Sequence, residues 1–151
     1  MRQWNSWGDS SVKMTVNAKA STFIQSLLGK GTPLTDATLS EVMAKVPASR
    51  LPEHPLIAID AETRVRHPRG QSLPDWLAWR SGDIGVFPDG VALPRNSTQV
   101  AELLALAKQH NWVVIPYGGG TSVVGHINPV ADERPILTLA LTHLNHLIHL
   151  D

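Results

Sequence analysis

Three consecutive glycines, Gly118-Gly119-Gly120, directly follow the apolar run Trp112-Val113-Val114-Ile115-Pro116, and this junction limits what the chain can become. A compact run of that composition reads as a strand buried on both faces. Glycine lacks Cβ, so the backbone after the strand can take positive φ and turn several N–H groups toward one point, forming a concave donor nest for an anion such as a pyrophosphate. Thr121 and Ser122 add hydroxyl donors at its rim. No lysine or arginine lies in the loop, so phosphate charge would be met by partial dipoles alone. The plain alternative is a tight turn with no ligand.

Two better-known phosphate loops fail. A Walker A loop needs Gly-Lys-Ser/Thr, whereas Gly29-Lys30 continues into Gly31. Read from Gly118 and Gly120, the dinucleotide pattern G-x-G-x-x-G would place its third glycine at Val123. A kinase and an NAD-binding Rossmann enzyme are therefore disfavoured.

The 151 residues carry 13 Lys+Arg and 13 Asp+Glu, a net charge of zero that argues against a nucleic-acid partner. An apolar fraction of 42% suffices for the core of one domain. Cysteine is absent, which removes disulfides, thiolate metal sites and cysteine nucleophiles and points to a cytoplasmic protein. No apolar run has the length of a signal peptide or a membrane span.

The chain divides near Pro88. Upstream, helical spacing predicts a helix over residues 20–28 and a second starting at Thr35 or Asp36 and ending at Pro47. Leu56-Ile57-Ala58-Ile59 reads as a short extended piece. Ser72-Leu73-Pro74-Asp75 predicts a capped helix over residues 73–81 closed by Gly82, with Trp76 and Trp79 adjacent on one side as packing residues. Downstream, Gly90-Val91-Ala92-Leu93-Pro94 reads as a strand. Asn96 caps a helix carrying Val100, Leu103, Leu104 and Ala107, with Gln99 at the reciprocal position, and the strand over residues 112–116 completes a β-α-β unit. Ile136-Leu137-Thr138-Leu139 and Leu147-Ile148-His149-Leu150 are two further strand candidates. The last leaves a sheet edge uncovered at Asp151, which predicts self-association.

Two other clusters have bland readings beside sharp ones. His143, His146 and His149 share one face only if helical; in a strand they do not, and a metal site is disfavoured. Arg64, Arg66, Arg69 and Arg80 form either a second anion site or a solvated loop.

The stretch Pro116-Tyr117-Gly118-Gly119-Gly120-Thr121-Ser122 resembles the Pro-x-Gly-Gly-Gly-Thr-Ser pyrophosphate loop of flavin oxidases of the vanillyl-alcohol oxidase and p-cresol methylhydroxylase (PCMH) type. Pro88-Asp89-Gly90-Val91-Ala92-Leu93-Pro94 sits where that family opens its helix with Pro-Asp-x-Val-x-x-Pro. Within the family the likeness is greatest to alkyldihydroxyacetonephosphate synthase and its bacterial FAD-linked oxidase relatives. It extends to Trp4-Asn5-Ser6-Trp7-Gly8-Asp9, to Arg66-His67-Pro68-Arg69-Gly70-Gln71-Ser72-Leu73-Pro74-Asp75-Trp76 and to Leu144-Asn145-His146-Leu147-Ile148. Two positions depart from the pattern. Ala140 replaces an acidic residue, and His126 stands where a glycine is common.

The resemblance implies an α+β fold: an irregular helical leader over residues 1–87, then the first half of a PCMH-type FAD-binding domain over residues 88–151. It implies FAD as cofactor, held by Pro116, Tyr117, Gly118, Gly119, Gly120, Thr121, Ser122 and Gly125. The chain is expected to be an N-terminal fragment, inactive alone, of an enzyme whose catalytic residues lie beyond Asp151. Its small-molecule substrate would be a hydroxy acid or alcohol oxidised by the flavin, or a glycerone phosphate whose acyl group is exchanged for an alkyl group. The competing expectation is a non-catalytic module that binds another phosphate ligand.

Overall fold

The computed structural model describes residues 3–12 and 14–150. The parts of the sequence readings that involve Met1, Arg2 and Asp151 lie outside these. Five helices and four strands follow one another as α1 (Ala18–Leu28), α2 (Leu39–Met43), β1 (Ile57–Ala58), α3 (Ala61–Val65), α4 (Leu73–Ser81), β2 (Gly90–Ala92), α5 (Ser97–Gln109), β3 (Val113–Tyr117) and β4 (Ile136–Ala140). This is the mixed α/β architecture expected from the sequence.

Local chemistry sets most helix ends. The Asn17 side chain accepts from the Ala20 amide and starts α1. Thr38, rather than Thr35 or Asp36, caps α2, because Glu41 three residues on completes a capping box. Asp36 is instead engaged by Arg80, whose Nε lies 2.8 Å from its carboxylate. Ser72 and Asp75 form the predicted box at α4, and Gly82 closes that helix. Asn96 caps α5 as expected, but Gln99 reaches back one residue further, accepting from the Arg95 amide at 2.7 Å. Each such cap is worth about 1 kcal/mol.

The sheet runs β1-β2-β4-β3. β2 and β3 are both parallel to β4, so β2-α5-β3 is a parallel crossover whose strands are not neighbours: β4, arriving later in the chain, lies between them. This reverses the burial expected from composition. β3, the most apolar run, is a half-buried edge strand, whereas every residue of β4 is buried even though Thr138 interrupts its apolar pattern. Position in the sheet, not hydrophobicity, decides which strand has neighbours on both sides. Residues 147–150 form no strand and are exposed.

α5 covers one face of the sheet, packing Leu103 and Ala107 against Ala92, Leu137 and Leu139. On a second cluster Val91, Tyr117, Ile127 and Ala140 meet. The leader has a core of its own in Val42, Val65, Trp79, Ile84 and Phe87. β1 pairs antiparallel with β2, which joins the leader to the sheet.

A buried polar knot reinforces this junction. Asp89 is 3% exposed, and its carboxylate accepts from Arg50 Nη2 at 2.7 Å, Arg50 Nε at 2.9 Å and the Ile136 amide at 2.7 Å. Its own amide donates to the Ile136 carbonyl. Arg64, 2% exposed, donates Nε to the Pro88 carbonyl and Nη1 to the Pro47 carbonyl, both at 2.7 Å. Replacing Asp89 with Ala leaves the Arg50 guanidinium and the Ile136 amide without this acceptor. The Arg50 side chain is 44% exposed and keeps the Asp132 and Glu133 carbonyls, so the main loss is the acceptor of the buried Ile136 amide, about 1–3 kcal/mol. Urea denaturation of the Asp89→Ala chain is expected to show that loss as a lower midpoint at unchanged slope.

Candidate functional site

β3 ends at Tyr117 and the glycine loop begins at the next residue. The Tyr117 side chain is turned inward, 1% exposed, with its ring 4.9 Å from that of His67 and its hydroxyl 3.5 Å from the Arg66 carbonyl. It anchors the loop's first residue in the core. Pro116, Gly118, Gly119 and Thr121 are exposed, Ser122 and Gly125 half-buried and Gly120 buried.

Of the three consecutive glycines only Gly120 takes positive φ, at 69°, where the chain reverses. Gly118 and Gly119 are needed for neither backbone conformation nor packing. A side chain on Gly118 would meet nothing within 4 Å, and one on Gly119 only the Thr121 methyl at 3.6 Å. Open space therefore stands in front of both. Among the described residues, the backbone N–H groups of residues 118–122 donate to no protein acceptor. Such a series of unpaired donors around glycines fits an anionic group that approaches the backbone closely.

The loop is held from outside. The Gln71 amide donates to the Ser122 carbonyl at 2.6 Å. The Gly70 amide donates to Asn128 Oδ1 at 3.1 Å, and Asn128 Nδ2 donates to Asp75 Oδ1 at 2.7 Å. Asp75 Oδ2 accepts from the Ser72 hydroxyl at 2.6 Å and the Ser72 amide at 3.1 Å. Gly70 has to be glycine here, since a Cβ would collide with the Ser122 carbonyl oxygen. The Ser122 hydroxyl and His126 Nδ1 are 3.0 Å apart, so that hydroxyl is partnered within the loop.

Asp75 is 1% exposed. Burial pushes its carboxyl up, but hydrogen bonds from Ser72 and Asn128 and the Arg69 guanidinium 3.6 Å away hold it below the ordinary carboxylate range. Asp89 follows the same pattern, with Arg50 and the Ile136 amide outweighing burial.

Several expected groupings do not form. The four leader arginines diverge: Arg66 pairs with Glu62, Arg80 with Asp36, Arg69 with Asp75 and the Ile84 carbonyl, and Arg64 is buried against backbone. Each of the four is thus engaged by a carboxylate or a backbone carbonyl. Trp76 and Trp79 also separate. Trp79 is buried, edge-on to Trp4 at 6.2 Å, while Trp76 is 41% exposed with its indole N–H donating to Gln71 Oε1. Beside the loop, Trp4, Arg66, His67, Gln71, Trp79 and Thr142 line a cavity of about 380 Å³. The described residues hold no group of three His, Asp or Glu side chains able to bind a metal. They also contain no helix long and apolar enough to cross a membrane.

Sequence reasoning missed Gly70 and Asn128 as partners of the loop. Asp75 was legible only as a helix cap; the contact made by its other oxygen joins residues 53 positions apart.

Residues 88–151 match the family described as FAD binding domain. FAD is the cofactor that this family binds. The chain is 35% identical over 97 residues to alkyldihydroxyacetonephosphate synthase of Trypanosoma brucei brucei, covering 63% of this chain and 16% of that protein. It is 36% identical over 92 residues to alkyldihydroxyacetonephosphate synthase of Dictyostelium discoideum, covering 61% of this chain and 15% of that protein. A solved structure of alkyldihydroxyacetonephosphate synthase superposes with a TM-score of 0.76 at 24% identity over 99% of this chain and 34% of its own length, and so shares the fold. The chain spans about one sixth of the length of the curated relatives it matches.

The lowered carboxyls of Asp75 and Asp89 set the acid limit of the fold. A carboxyl depressed in the folded state stabilises the protein above its unfolded pKa of about 4, and that contribution is lost as pH falls through the folded value. Thermal melts are expected to be level between about pH 5 and 7 and to fall steeply below about pH 4. In the Asp75→Asn chain that fall should be shallower.

Proposed function

We propose that the chain is the N-terminal FAD-binding portion of a flavin-dependent enzyme. Residues 1–87 would be its leader and residues 88–151 the first half of the FAD-binding domain. The glycine loop holds the cofactor's pyrophosphate. One observation carries this reading: the N–H groups of residues 118–122 have no acceptor among the described residues, and space is open beside Gly118 and Gly119. Two phosphates bring formal negative charge, and the loop answers with amide dipoles, since it contains no Lys or Arg. Thr121 offers a hydroxyl, and Ser122 shares its own with His126. Pro116 and the buried Tyr117 fix the direction from which the loop leaves the sheet, and Gly125 turns it back at φ 76°.

Bound FAD would supply the redox chemistry, and the chain's own residues the binding and orientation. The names of the two relatives favour a glycerone-phosphate substrate in the complete enzyme over a simple hydroxy acid or alcohol. The chain by itself would bind the cofactor without turning over substrate, because it spans so little of those relatives. The absence of cysteine supports a cytoplasmic protein. Self-association is supported by the exposed Val123, Val124, Leu147 and Ile148.

Titration with FAD, followed by quenching of flavin fluorescence, tests the central assignment. Saturable binding is expected, with ADP competing and FMN not, because only the first two carry a diphosphate. Gly119→Asp fills the open space with a carboxylate and is expected to weaken binding at least 100-fold. Equal competition by FMN, or normal flavin retention in Gly119→Asp, would refute the diphosphate reading.

A further inference from the structure

We infer that Asn128 and Asp75 are positioning residues for the flavin site: together they hold the glycine loop in the geometry that binds diphosphate, although neither lies within it. The inference rests on the loop's being the diphosphate site. Four hydrogen bonds and one close approach carry it. Asn128 lies past the loop, three residues after Gly125, and its amide donates to the Gly125 carbonyl at 3.0 Å. Its side chain bridges two groups of the leader, accepting from the Gly70 amide at 3.1 Å and donating to Asp75 at 2.7 Å. The next leader residue, Gln71, donates its amide to the Ser122 carbonyl at 2.6 Å. Gly70 packs so closely under that carbonyl that even a methyl group is excluded.

The loop is therefore gripped at Ser122 and again just beyond it at Asn128, by the segment that opens α4. Asp75 fixes that segment, because the oxygen not used by Asn128 caps the helix through Ser72. A loop whose own backbone donors have no acceptor in the protein is not held by them, so its shape needs an outside restraint. Pre-organisation of this kind raises affinity by lowering the ordering that binding requires. The polarity of the bridge is fixed: Asp75 only accepts, so the Asn128 amide nitrogen must face it and the Asn128 oxygen must face Gly70.

That polarity supplies the test. Asn128→Asp keeps the acceptor for Gly70 but sets two carboxylates against each other. Asp75→Asn combined with Asn128→Asp restores one donor and one acceptor in reversed order, with the Asn at position 75 still accepting from Ser72. FAD and ADP affinities at pH 7.5 are expected to fall about tenfold or more in Asn128→Asp and to return to within about threefold of the parent in the double variant. Amide hydrogen exchange at Gly70 and Gln71, measured without ligand, should quicken and recover in parallel. Asn128→Ala, which breaks the bridge without adding charge, gives the same loss if Asn128→Asp does not fold.

Unchanged affinity and exchange in the folded single variants would overturn the inference, as would a double variant that folds yet binds as weakly as Asn128→Asp. A purely structural role would lower the melting temperature without moving FAD affinity in step with Gly70 and Gln71 exchange. If the parent chain binds neither FAD nor ADP while exchange still follows the swap, the restraint on the loop stands and only the diphosphate reading falls.

Discussion

The buried carboxylate of Asp75 is the contact on which the arrangement around the glycine loop depends. One oxygen ends the backbone of α4 properly by taking the Ser72 amide and hydroxyl; the other takes the Asn128 side chain from the far end of the loop. A charge that is 1% exposed persists because both of its oxygens accept hydrogen bonds and a guanidinium stands nearby. The consequence is mechanical. A segment that is irregular in sequence becomes the support of a loop that would otherwise have no fixed shape.

Asp89 plays the corresponding part at the sheet. It draws the Arg50 side chain and the Ile136 amide to the same place, just before β2 starts and just where β4 begins. Leader and sheet are thus joined by two buried carboxylates and a two-residue strand, together with the apolar contacts of Leu51 and Ile57. The helix at the other extreme, α1, buries no residue at all, with Phe23, Ile24, Leu27 and Leu28 facing solvent. Eleven residues are marginal for an isolated helix in water, so its Asn17 cap matters more than caps elsewhere.

How much of this was legible in the sequence depended on the range of the cause. Caps and breakers act within four residues, and Ser72, Asp75, Gly82 and Asn96 announced helix ends that the structure keeps. Where two local signals competed, at Thr35, Asp36 and Thr38, the choice was made by Glu41 nearby and by Arg80 44 positions away. Strand burial was misread for a related reason: β3 and β4 differ less in composition than in where the sheet places them. The position of the glycine loop directly after β3 was legible because strand and glycines are contiguous residues. Its restraints at Gly70 and Asn128 were not, since a lone glycine and a lone asparagine carry no sign of a partner so distant.

The strand order carries a consequence for the order of events in folding. β2 has β1 on one side, but its other edge and the whole of β3 have no partner until β4 arrives. α5 can form early from its own cap and periodicity, but the surface it covers includes Leu137 and Leu139, which are contributed by that same late strand. On a ribosome the sheet can therefore close only after residues 136–140 have left the exit tunnel, and loop-closure entropy must be met before any parallel pairing returns free energy. Until then the nascent chain holds two unsatisfied strand edges apart at the width of one missing strand, a period in which a chaperone, rather than the native sheet, is what keeps them from pairing elsewhere.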